Sequence, residues 1–345
     1  MAQRFPIFAA IGLIGLSLAL HALFVLVYGL GPDRLAMLAL VPRWAWAAAG
    51  VVCAVAASWF RRSPAALVLC VLWGVTLLSG ENERRAATGW LYAAPAPEPR
   101  EGVVGTESLR LRVISFNTDH FQREAADEVL RWHPDIVLFQ ESPFPSELNR
   151  LGRELFGDES VSAFRHWCGI VARGRSLDWF QMQFDPEAFG GGQPRAIFAR
   201  LTLPDGRPLD LLNVHLLSAE RCVSVWSPAC WQAHTSNRRQ RRHHLDILLE
   251  TREWIAGSLP PAPSIIAGDF NAPAGDASLE RLAATHVDAF AAAGRGYGAT
   301  YHNRWPIHRI DQIWLGSELA PLGARTVRSV YSDHRMVVAD FLYPR

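Results

Sequence analysis

The stretch Ser264-Ile265-Ile266-Ala267-Gly268-Asp269-Phe270-Asn271 contains the motif on which the fold prediction rests. Residues 264–267 form a short, mostly apolar run, which is typical of a strand buried on both faces. Asp269 and Asn271 follow that run at once. Taken alone they would be read as a turn, because Asp and Asn both favour turns. A catalytic interpretation therefore needs other polar residues that follow other strands in the same way.

The C-terminal two thirds of the chain alternates predicted strands with predicted helices. Strands are predicted at 109–116, 135–139, 169–172, 196–203, 209–216, 264–267, 309–315 and 336–341, and helices at 124–132 and 238–259. The turn residues 204–208 indicate a hairpin between two of the strands. Because strands outnumber helices but alternate with them, the pattern predicts an α/β or α+β domain with mixed sheets.

Acidic, amide and imidazole side chains recur at the ends of these strands. They are Asn117, Glu141, His215, Asp269, Asn271, Asp311, Asp333 and His334. A rigid sheet can bring side chains at its strand ends together in one cleft. Carboxylates suit Mg²⁺, which prefers oxygen ligands, and His and Asn can donate hydrogen bonds to phosphate oxygens. Each residue alone could be a cap or a surface ion pair, but the set predicts metal-assisted hydrolysis of a phosphate ester.

Six segments resemble, in the same order, motifs of the endonuclease/exonuclease/phosphatase superfamily. They are residues 115–119, 133–141, 213–216, 267–272, 309–311 and 332–335. The resemblance covers residues 109–345 and implies a four-layer sandwich, in which two mixed β-sheets lie between helices and the site lies at one edge. It also implies a hydrolase that acts on ester bonds.

The resemblance implies a divalent metal site. Glu141 and Asn117 match the family's metal-binding pair, with Glu141 as the main ligand, and Asp333 matches a further carboxylate on the metal side. The implied cofactor is Mg²⁺, for which Mn²⁺ would substitute. Hard oxygen ligands of this kind are what Mg²⁺ requires.

The resemblance also implies catalytic roles. Asp269 matches the residue that positions or deprotonates the attacking water, and Asn271 and His215 match donors to phosphate oxygens. Asp311 matches the acid that orients the last histidine, His334.

Substrate-binding roles follow for Arg195 and Asp119. Arg195 matches a phosphate contact, and Asp119 agrees with a position found in abasic-site nucleases. For these two residues, as for His166, a structural role is the alternative. The basic run 238–244 could bind nucleic acid or lipid headgroups, but a basic helix start is the commoner explanation.

Residues 1–80 are strongly apolar and predict a membrane anchor. Residues 5–30 run for 26 positions without a formal charge, which is long enough to span a bilayer. Two further apolar runs, 44–60 and 65–80, predict a total of three spanning helices, with a shallow or buried hairpin as the alternative. Residues 81–108, which include a Pro/Ala-rich stretch, are expected to be an extended linker before the catalytic domain.

The charges around the apolar runs bear on orientation. Arg4 and the pair Arg61-Arg62 would lie inside under the positive-inside rule, which places the catalytic domain outside the cytoplasm; Arg84-Arg85 argues for the opposite. Cys222 and Cys230 would form a disulfide in an oxidising compartment, or be two unrelated thiols. We expect an integral protein of the bacterial inner membrane with a periplasmic catalytic domain.

The anchor favours a lipid-linked phosphate as substrate, because it holds the site near lipid. The main alternative is a nuclease that degrades DNA or RNA outside the cytoplasm, although the net charge of +1 gives no general attraction to nucleic acid. A less favoured alternative is a catalytically inactive membrane scaffold with the same fold. The expected partners are the phosphoester substrate and the bilayer, and no protein partner is predicted.

Overall fold

The computed structural model describes residues 5–89, 108–182 and 195–344. Its helices are α1 Phe5–Val25, α2 Arg43–Phe60, α3 Pro64–Leu78, α4 Glu81–Gly89, α5 Arg123–Asp127, α6 Pro145–Phe156, α7 Pro228–Gly257, α8 Glu280–Ala283 and α9 Ala289–Ala293. Its strands are β1 Leu109–Asn117, β2 Ile136–Gln140, β3 Ser160–Arg165, β4 Cys168–Arg173, β5 Ser176–Phe180, β6 Arg195–Thr202, β7 Pro208–His215, β8 Ser264–Asp269, β9 His286–Asp288, β10 Asp311–Gly316, β11 Ala320–Val327 and β12 Met336–Tyr343.

The strands form two six-stranded mixed sheets. One has the order β11-β12-β1-β2-β4-β3 and the other has the order β5-β6-β7-β8-β10-β9. The pairs β1–β2 and β7–β8 are parallel and the remaining pairs are antiparallel. The two parallel pairs lie at the centre of their sheets, and the carboxyl ends of their four strands emerge together at one edge of the sandwich.

Three apolar clusters hold the layers together. The largest lies between the sheets and includes Val113, Leu138, Leu211 and Ile265. A second packs the outer face of one sheet against α7, and a third packs the outer face of the other sheet against α5 and α6. The order is therefore helices, sheet, sheet, helices, which confirms the predicted four-layer sandwich.

Some elements differ from the sequence prediction. The helix predicted at 124–132 is the short α5 followed by a 3₁₀ turn at Leu130–Trp132. The helix predicted from residue 238 begins ten residues earlier, at Pro228, where the Ser227 side chain accepts the Cys230 N–H. The strands β3, β5, β9 and β11 were not predicted. Each lies at a sheet edge and lacks a continuous buried run: β3 is mostly half-buried, and the other three include exposed positions.

The N-terminal helices pack against one another. The Trp73 Nε1 of α3 donates to the Ser17 hydroxyl of α1 (3.1 Å), which donates to the Gly50 carbonyl of α2 (2.9 Å). Two helical segments, at 6–30 and 43–60, are long and apolar enough to cross a membrane. A third crossing requires α3 and residues 82–88 to act as one span, and these bend by 98°.

The region expected to be a linker begins with a helix. Residues 81–89 form α4, which is short, polar and docked on the catalytic domain: the Arg85 guanidinium donates to the Ala292 carbonyl at 2.6 Å. The Pro/Ala-rich stretch at 93–99 lies outside the described residues. Residues 81–89 are therefore not part of an extended linker.

The loop between α1 and α2 is fastened to α7 by ion pairs. Asp33 accepts from Arg239 at 3.1 Å and from Arg242 at 2.8 Å, and the Gly31 carbonyl accepts from Arg238 at 3.3 Å. Three arginines of the basic run at 238–244 therefore bind the anchor. The anchor and the catalytic domain meet over a defined interface.

Candidate active site

The register of the strands brings the predicted site residues to one edge of the sandwich. His215 lies opposite Asp269 across the parallel pair β7–β8, and Asp269 lies opposite Asp311 across β8–β10. Asn117 ends β1, and Glu141 directly follows the neighbouring β2. Residues that are far apart in sequence therefore converge because each ends or begins a buried strand.

Gly268 permits the closest approach between two of these strands. Its φ of 147° and its position would place a Cβ atom 1.8 Å from the Val214 carbonyl oxygen. Only glycine fits such a contact. As a result β8 lies directly against β7, and the His215 Nε2 is 3.7 Å from the Asp269 Oδ2.

Asp269 is a fully enclosed carboxylate at the centre of the site. It accepts the Asn271 backbone N–H at 2.9 Å and the Asn117 amide at 3.1 Å, and its Oδ2 lies 3.8 Å from the His334 Nε2. Burial, together with the Asp311 carboxylate, raises the pKa of Asp269. A carboxylate with a raised pKa is a stronger base than an ordinary aspartate.

His334 is held as a cation by Asp311. Its Nδ1 lies 2.9 Å and 3.1 Å from the two Asp311 oxygens, and both side chains are buried. Burial alone would lower the pKa of His334, but the Asp311 and Asp269 carboxylates raise it to about 10. His334 therefore carries both ring protons near neutral pH, one bonded to Asp311 and one on the Nε2 beside Asp269.

The pKa of His215 is shifted in the opposite direction from that of His334. Burial lowers its pKa, although the Asp269 carboxylate opposes this effect. Its Nδ1 has no hydrogen-bond partner among the described residues. Asn271 lies next to it, and its amide donates to the Leu216 carbonyl at 3.0 Å. The neutral imidazole and the remaining amide N–H are both suited to donate hydrogen bonds to a substrate oxygen.

A second cluster lies on the loop after β1. Ligand atoms of Asp119, His120 and Glu141 all lie within 4.8 Å of one another. Asp119, His120 and Phe121 have positive φ values, so the loop folds back; the His120 N–H donates to the Glu141 carboxylate at 2.7 Å. The His120 ring bonds the Asp119 carboxylate, which raises the pKa of His120. His120 was not predicted, and only its position beside Asp119 could have indicated it.

The donor set of this second cluster fits a hard divalent cation. Glu141 and Asp119 supply carboxylate oxygens, and Asp333 lies beside them. Burial raises the pKa of Asp333, and the nearby Asp119 and Glu141 carboxylates raise it further against the effect of His334. Asn117 connects the two clusters, because its Oδ1 accepts the Asp119 N–H at 3.0 Å while its amide donates to Asp269. A cation here would relieve the repulsion among the carboxylates.

A cavity of about 340 Å³ joins the two clusters. Sequence reasoning did not identify several residues of its lining, among them Leu40, Ser218, Glu220, Arg221, Tyr301 and His308. The Tyr301 ring lies 4.9 Å from the His334 ring, and Leu40 comes from the anchor. These residues lie in segments without a periodic sequence pattern. Of the six, only Arg221 could have been suggested from sequence, because a cation can bind a phosphate.

Two predicted or considered residues lie elsewhere. Arg195 begins β6 opposite His215 but is exposed, and the described lining of the cavity includes neither Arg195 nor His166.

A disulfide joins Cys222 and Cys230, whose Cα atoms are 5.6 Å apart, directly after the cavity residue Arg221. This bond fixes one wall of the cavity to the start of α7.

Comparisons with known proteins agree with this geometry. The family model described as "Endonuclease/Exonuclease/phosphatase family" matches residues 114–334. No curated protein matches the chain in sequence. Among solved structures, the chain is similar to an endonuclease/exonuclease/phosphatase family protein from Bacteroides thetaiotaomicron (15% identity, 69% of this chain and 99% of that chain, TM-score 0.53). It is also similar to a mannosyl-6-phosphatase of the same organism (15% identity, 67% and 99%, TM-score 0.52) and to a family protein from Bacteroides vulgatus (17% identity, 68% and 98%, TM-score 0.51).

Proposed function

Because this chain belongs to the endonuclease/exonuclease/phosphatase family, whose members are metal-dependent hydrolases of phosphoester bonds, we propose that it hydrolyses a lipid-linked phosphodiester or phosphomonoester at the membrane surface. The arrangement of the site residues is the main support for metal-assisted hydrolysis of a phosphoester. Asp269 and His334, the latter backed by the buried Asp311, face the carboxylates of Asp119 and Glu141 across a single cavity. A base, a cationic donor and a cation site therefore surround one substrate-sized space.

Glu141 and Asp119 would hold the divalent cation, with Asp333 and Asn117 beside it. Mg²⁺ is the ion that this oxygen-rich set favours, and Mn²⁺ would substitute. When bound, the cation would neutralise the negative charge on the phosphoryl oxygens. Because the Glu141 carboxylate already accepts the His120 N–H, its orientation is fixed before any cation binds.

The side chains around Asp269 carry the proton transfer and the charge stabilisation. Asp269 takes the proton of the attacking water, and its raised pKa makes it effective in that role. His334, His215 and Asn271 donate hydrogen bonds to phosphoryl oxygens as negative charge develops there. Asp311 keeps His334 protonated and oriented, so the donor needs no rearrangement during the reaction.

The preference for a lipid-linked substrate is supported by the contact between anchor and site. Leu40, which lies on the loop between α1 and α2, lines the catalytic cavity. The basic residues Arg238, Arg239 and Arg242 are engaged with carboxylates of this chain, which leaves them unavailable for a nucleic-acid backbone. Hydrolysis of DNA or RNA is the alternative outcome of the substrate test.

We propose an extracytoplasmic position for the catalytic domain. The α1–α2 loop contacts this domain, so the two lie on the same side of the membrane, and Arg61-Arg62 at the far end of α2 lies on the other. The positive-inside rule places that pair in the cytoplasm. The disulfide between Cys222 and Cys230 supports the same orientation, because disulfides persist in oxidising compartments.

A substrate panel tests the proposed function. The full chain, in lipid nanodiscs with Mg²⁺ or Mn²⁺, would be assayed against sphingomyelin, phosphoinositides, a lipid-linked phosphate, DNA, RNA and a generic phosphodiester. We expect hydrolysis of a lipid-linked ester that Asp269→Asn abolishes. If no phosphoester is hydrolysed with either cation, the enzymatic assignment fails. If DNA or RNA is the preferred substrate, the lipid assignment fails and the chemistry stands.

A fusion protein tests the orientation. Alkaline phosphatase joined after Arg345 is active only outside the cytoplasm, so the proposed topology predicts an active fusion. A fusion after Arg62 serves as the control and should be inactive. The reverse pattern would refute the proposed placement.

A further inference from the structure

A second cavity, of about 420 Å³, lies where the anchor meets the catalytic domain. We refer to it as the junction cavity. The anchor contributes Tyr28 and Arg43 to its lining, α4 contributes Glu83, and the catalytic domain contributes Tyr297 and Arg309. The reaction proposed above uses none of these five side chains, so the cavity needs a separate explanation.

The junction cavity lies at one end of the apolar helices, where lipid headgroups would lie if these helices cross a bilayer. Tyr28 is in the last turn of the first apolar span, Arg43 is the first residue of α2, and Glu83 follows the end of α3. Because α1 and α2 are joined by a short loop and α3 returns beside them, these three positions lie at the same end of the anchor. Tyrosine and arginine at such helix ends are typical of a membrane–water interface.

The cavity contains two charges of opposite sign that make no ion pair within the described residues. The Arg43 guanidinium lies over the Tyr28 ring, 4.6 Å from its centroid, rather than against a carboxylate. The Glu83 carboxylate packs over Gly80, where an added Cβ atom would lie 2.4 Å from its Oε2. The two side chains are neighbours, because the same added Cβ atom would lie 2.9 Å from the Arg43 Cδ. A bound group that carries one negative and one positive charge would therefore contact both.

The other charged pair of the lining has a structural role. Arg309 and Asp288 form a buried ion pair, in which the Arg309 Nη1 donates to the Asp288 carboxylate at 2.9 Å, so their charges offset each other. The Arg309 Nε also donates to the Asn82 side chain at 3.1 Å, which fixes α4 against the catalytic domain. The position of Glu83 on α4 is therefore set by a buried contact.

We propose that the junction cavity binds the headgroup of a phospholipid that carries a primary ammonium group, with its phosphate on Arg43 and its ammonium on Glu83. A carboxylate accepts hydrogen bonds from a primary ammonium, which a quaternary ammonium cannot donate. A quaternary ammonium is bound instead by aromatic faces; Tyr28, Tyr297 and Trp314 line the cavity, and Arg43 covers one face of Tyr28. An anionic headgroup without an amine would leave Glu83 unpaired.

The two cavities share part of their walls. Pro273 and His308 line both of them, and Leu40, which lines the catalytic cavity, is two residues from the Pro42 that lines the junction cavity. A bound headgroup would therefore pack against the same segments that shape the catalytic cavity. The lipid would act as a structural component of the site rather than as its substrate.

Lipid retention tests this proposal without any measurement of catalysis. The full chain carrying Asp269→Asn would be purified from membranes in mild detergent, and its bound lipids would be quantified by native mass spectrometry against phosphatidylethanolamine, phosphatidylcholine and phosphatidylglycerol. We expect preferential retention of phosphatidylethanolamine. Glu83→Gln and Arg43→Gln should each reduce it by about tenfold, the effect of losing one charge-assisted hydrogen bond.

A matched control separates the cavity from the general membrane interface. Arg61→Gln removes an arginine at the opposite end of α2 and should leave retention unchanged. Equal retention of all three lipids, or an equal loss in the Arg61 and Arg43 variants, would overturn the proposal. Soluble phosphoethanolamine should compete at millimolar concentration; competition by inorganic phosphate alone would show an anion site and would also overturn it.

Discussion

Replacing Asp311 by asparagine tests the role assigned to the His334 cation. Asp311→Asn keeps the size and the hydrogen-bonding shape of the side chain, but it removes the buried charge that lies 2.9 Å from the His334 Nδ1. Asp269 stays as the second neighbouring carboxylate, and burial continues to oppose protonation. We therefore expect the pKa of His334 to fall from about 10 toward its ordinary value of 6.5.

The size of the effect follows from the fraction of His334 that stays protonated. With a pKa near 10, the imidazole is a cation throughout the range from pH 6 to pH 8. With a pKa of 6.5, about one imidazole in thirty would be protonated at pH 8, and about one in four at pH 7. If the cation donates to the phosphoryl group, kcat/KM should fall about thirtyfold at pH 8 and about fourfold at pH 7, and it should recover toward pH 6.

The assay is a profile of kcat/KM against pH from 6 to 9, at saturating Mg²⁺, for the wild type and the variant. The matched control is Asp210→Asn. Asp210 is also a buried aspartate paired with a cation, Arg200 at 2.7 Å, but it lies at the far end of β7 from His215. Asp210→Asn should lower the free energy of unfolding but leave the shape of the kcat/KM profile against pH unchanged.

Two results would refute the reasoning. A loss in Asp311→Asn that is the same at every pH would mean that Asp311 only positions the ring. A wild-type profile in the variant would mean that the protonation of His334 does not limit the reaction.

Three further predictions concern the same domain. Asp269→Asn should lower kcat by about 10²- to 10⁴-fold with little change in KM, as expected for loss of a general base; a loss below tenfold would point to another base. Glu141→Gln should raise the Mg²⁺ concentration needed for half-maximal activity, and an unchanged Mg²⁺ titration would remove Glu141 from the cation site. Replacing Cys222 and Cys230 by serine should lower the free energy of unfolding by about 2.5 kcal/mol, the loop-entropy value for so short a loop. Thermal denaturation with and without reductant measures this change, and equal Tm values for wild type and variant would contradict it.

The central strands and the residues at their ends could be predicted from sequence. β2 and β8 are short apolar runs buried on both faces, and such runs are distinct in any window of the chain. Glu141 and Asp269 sit directly beside these runs. Because β2 and β8 belong to different sheets, the two residues converge only when the sheets pack face to face, an arrangement that the family resemblance implied. Their identity as a site then came from the order of the motifs, which resembles one family.

The walls of the site could not be predicted, because they depend on contacts between distant loops. Tyr301 reaches His334 only because the loop 300–308 is closed by backbone bonds between Tyr301 and His308. Leu40 reaches the cavity because the anchor docks on α7, and no local pattern encodes that contact. The same holds for Arg239 and Arg242, whose sequence suggests a free basic surface but whose partner, Asp33, lies more than two hundred residues away.

The ion pairs of Asp33 change how this enzyme would search for its substrate. A domain held only by an extended linker sweeps a volume above the bilayer, and its reach grows with the length of the linker. In this protein the position of the domain does not depend on the linker alone, because the loop between α1 and α2 also binds α7. If the apolar helices cross a bilayer, as proposed, the opening of the catalytic cavity is kept at one height above the lipid, and the enzyme meets a lipid substrate by diffusion in a plane. Since partly exposed ion pairs weaken as salt screens them, ionic strength would set how often the domain leaves that plane.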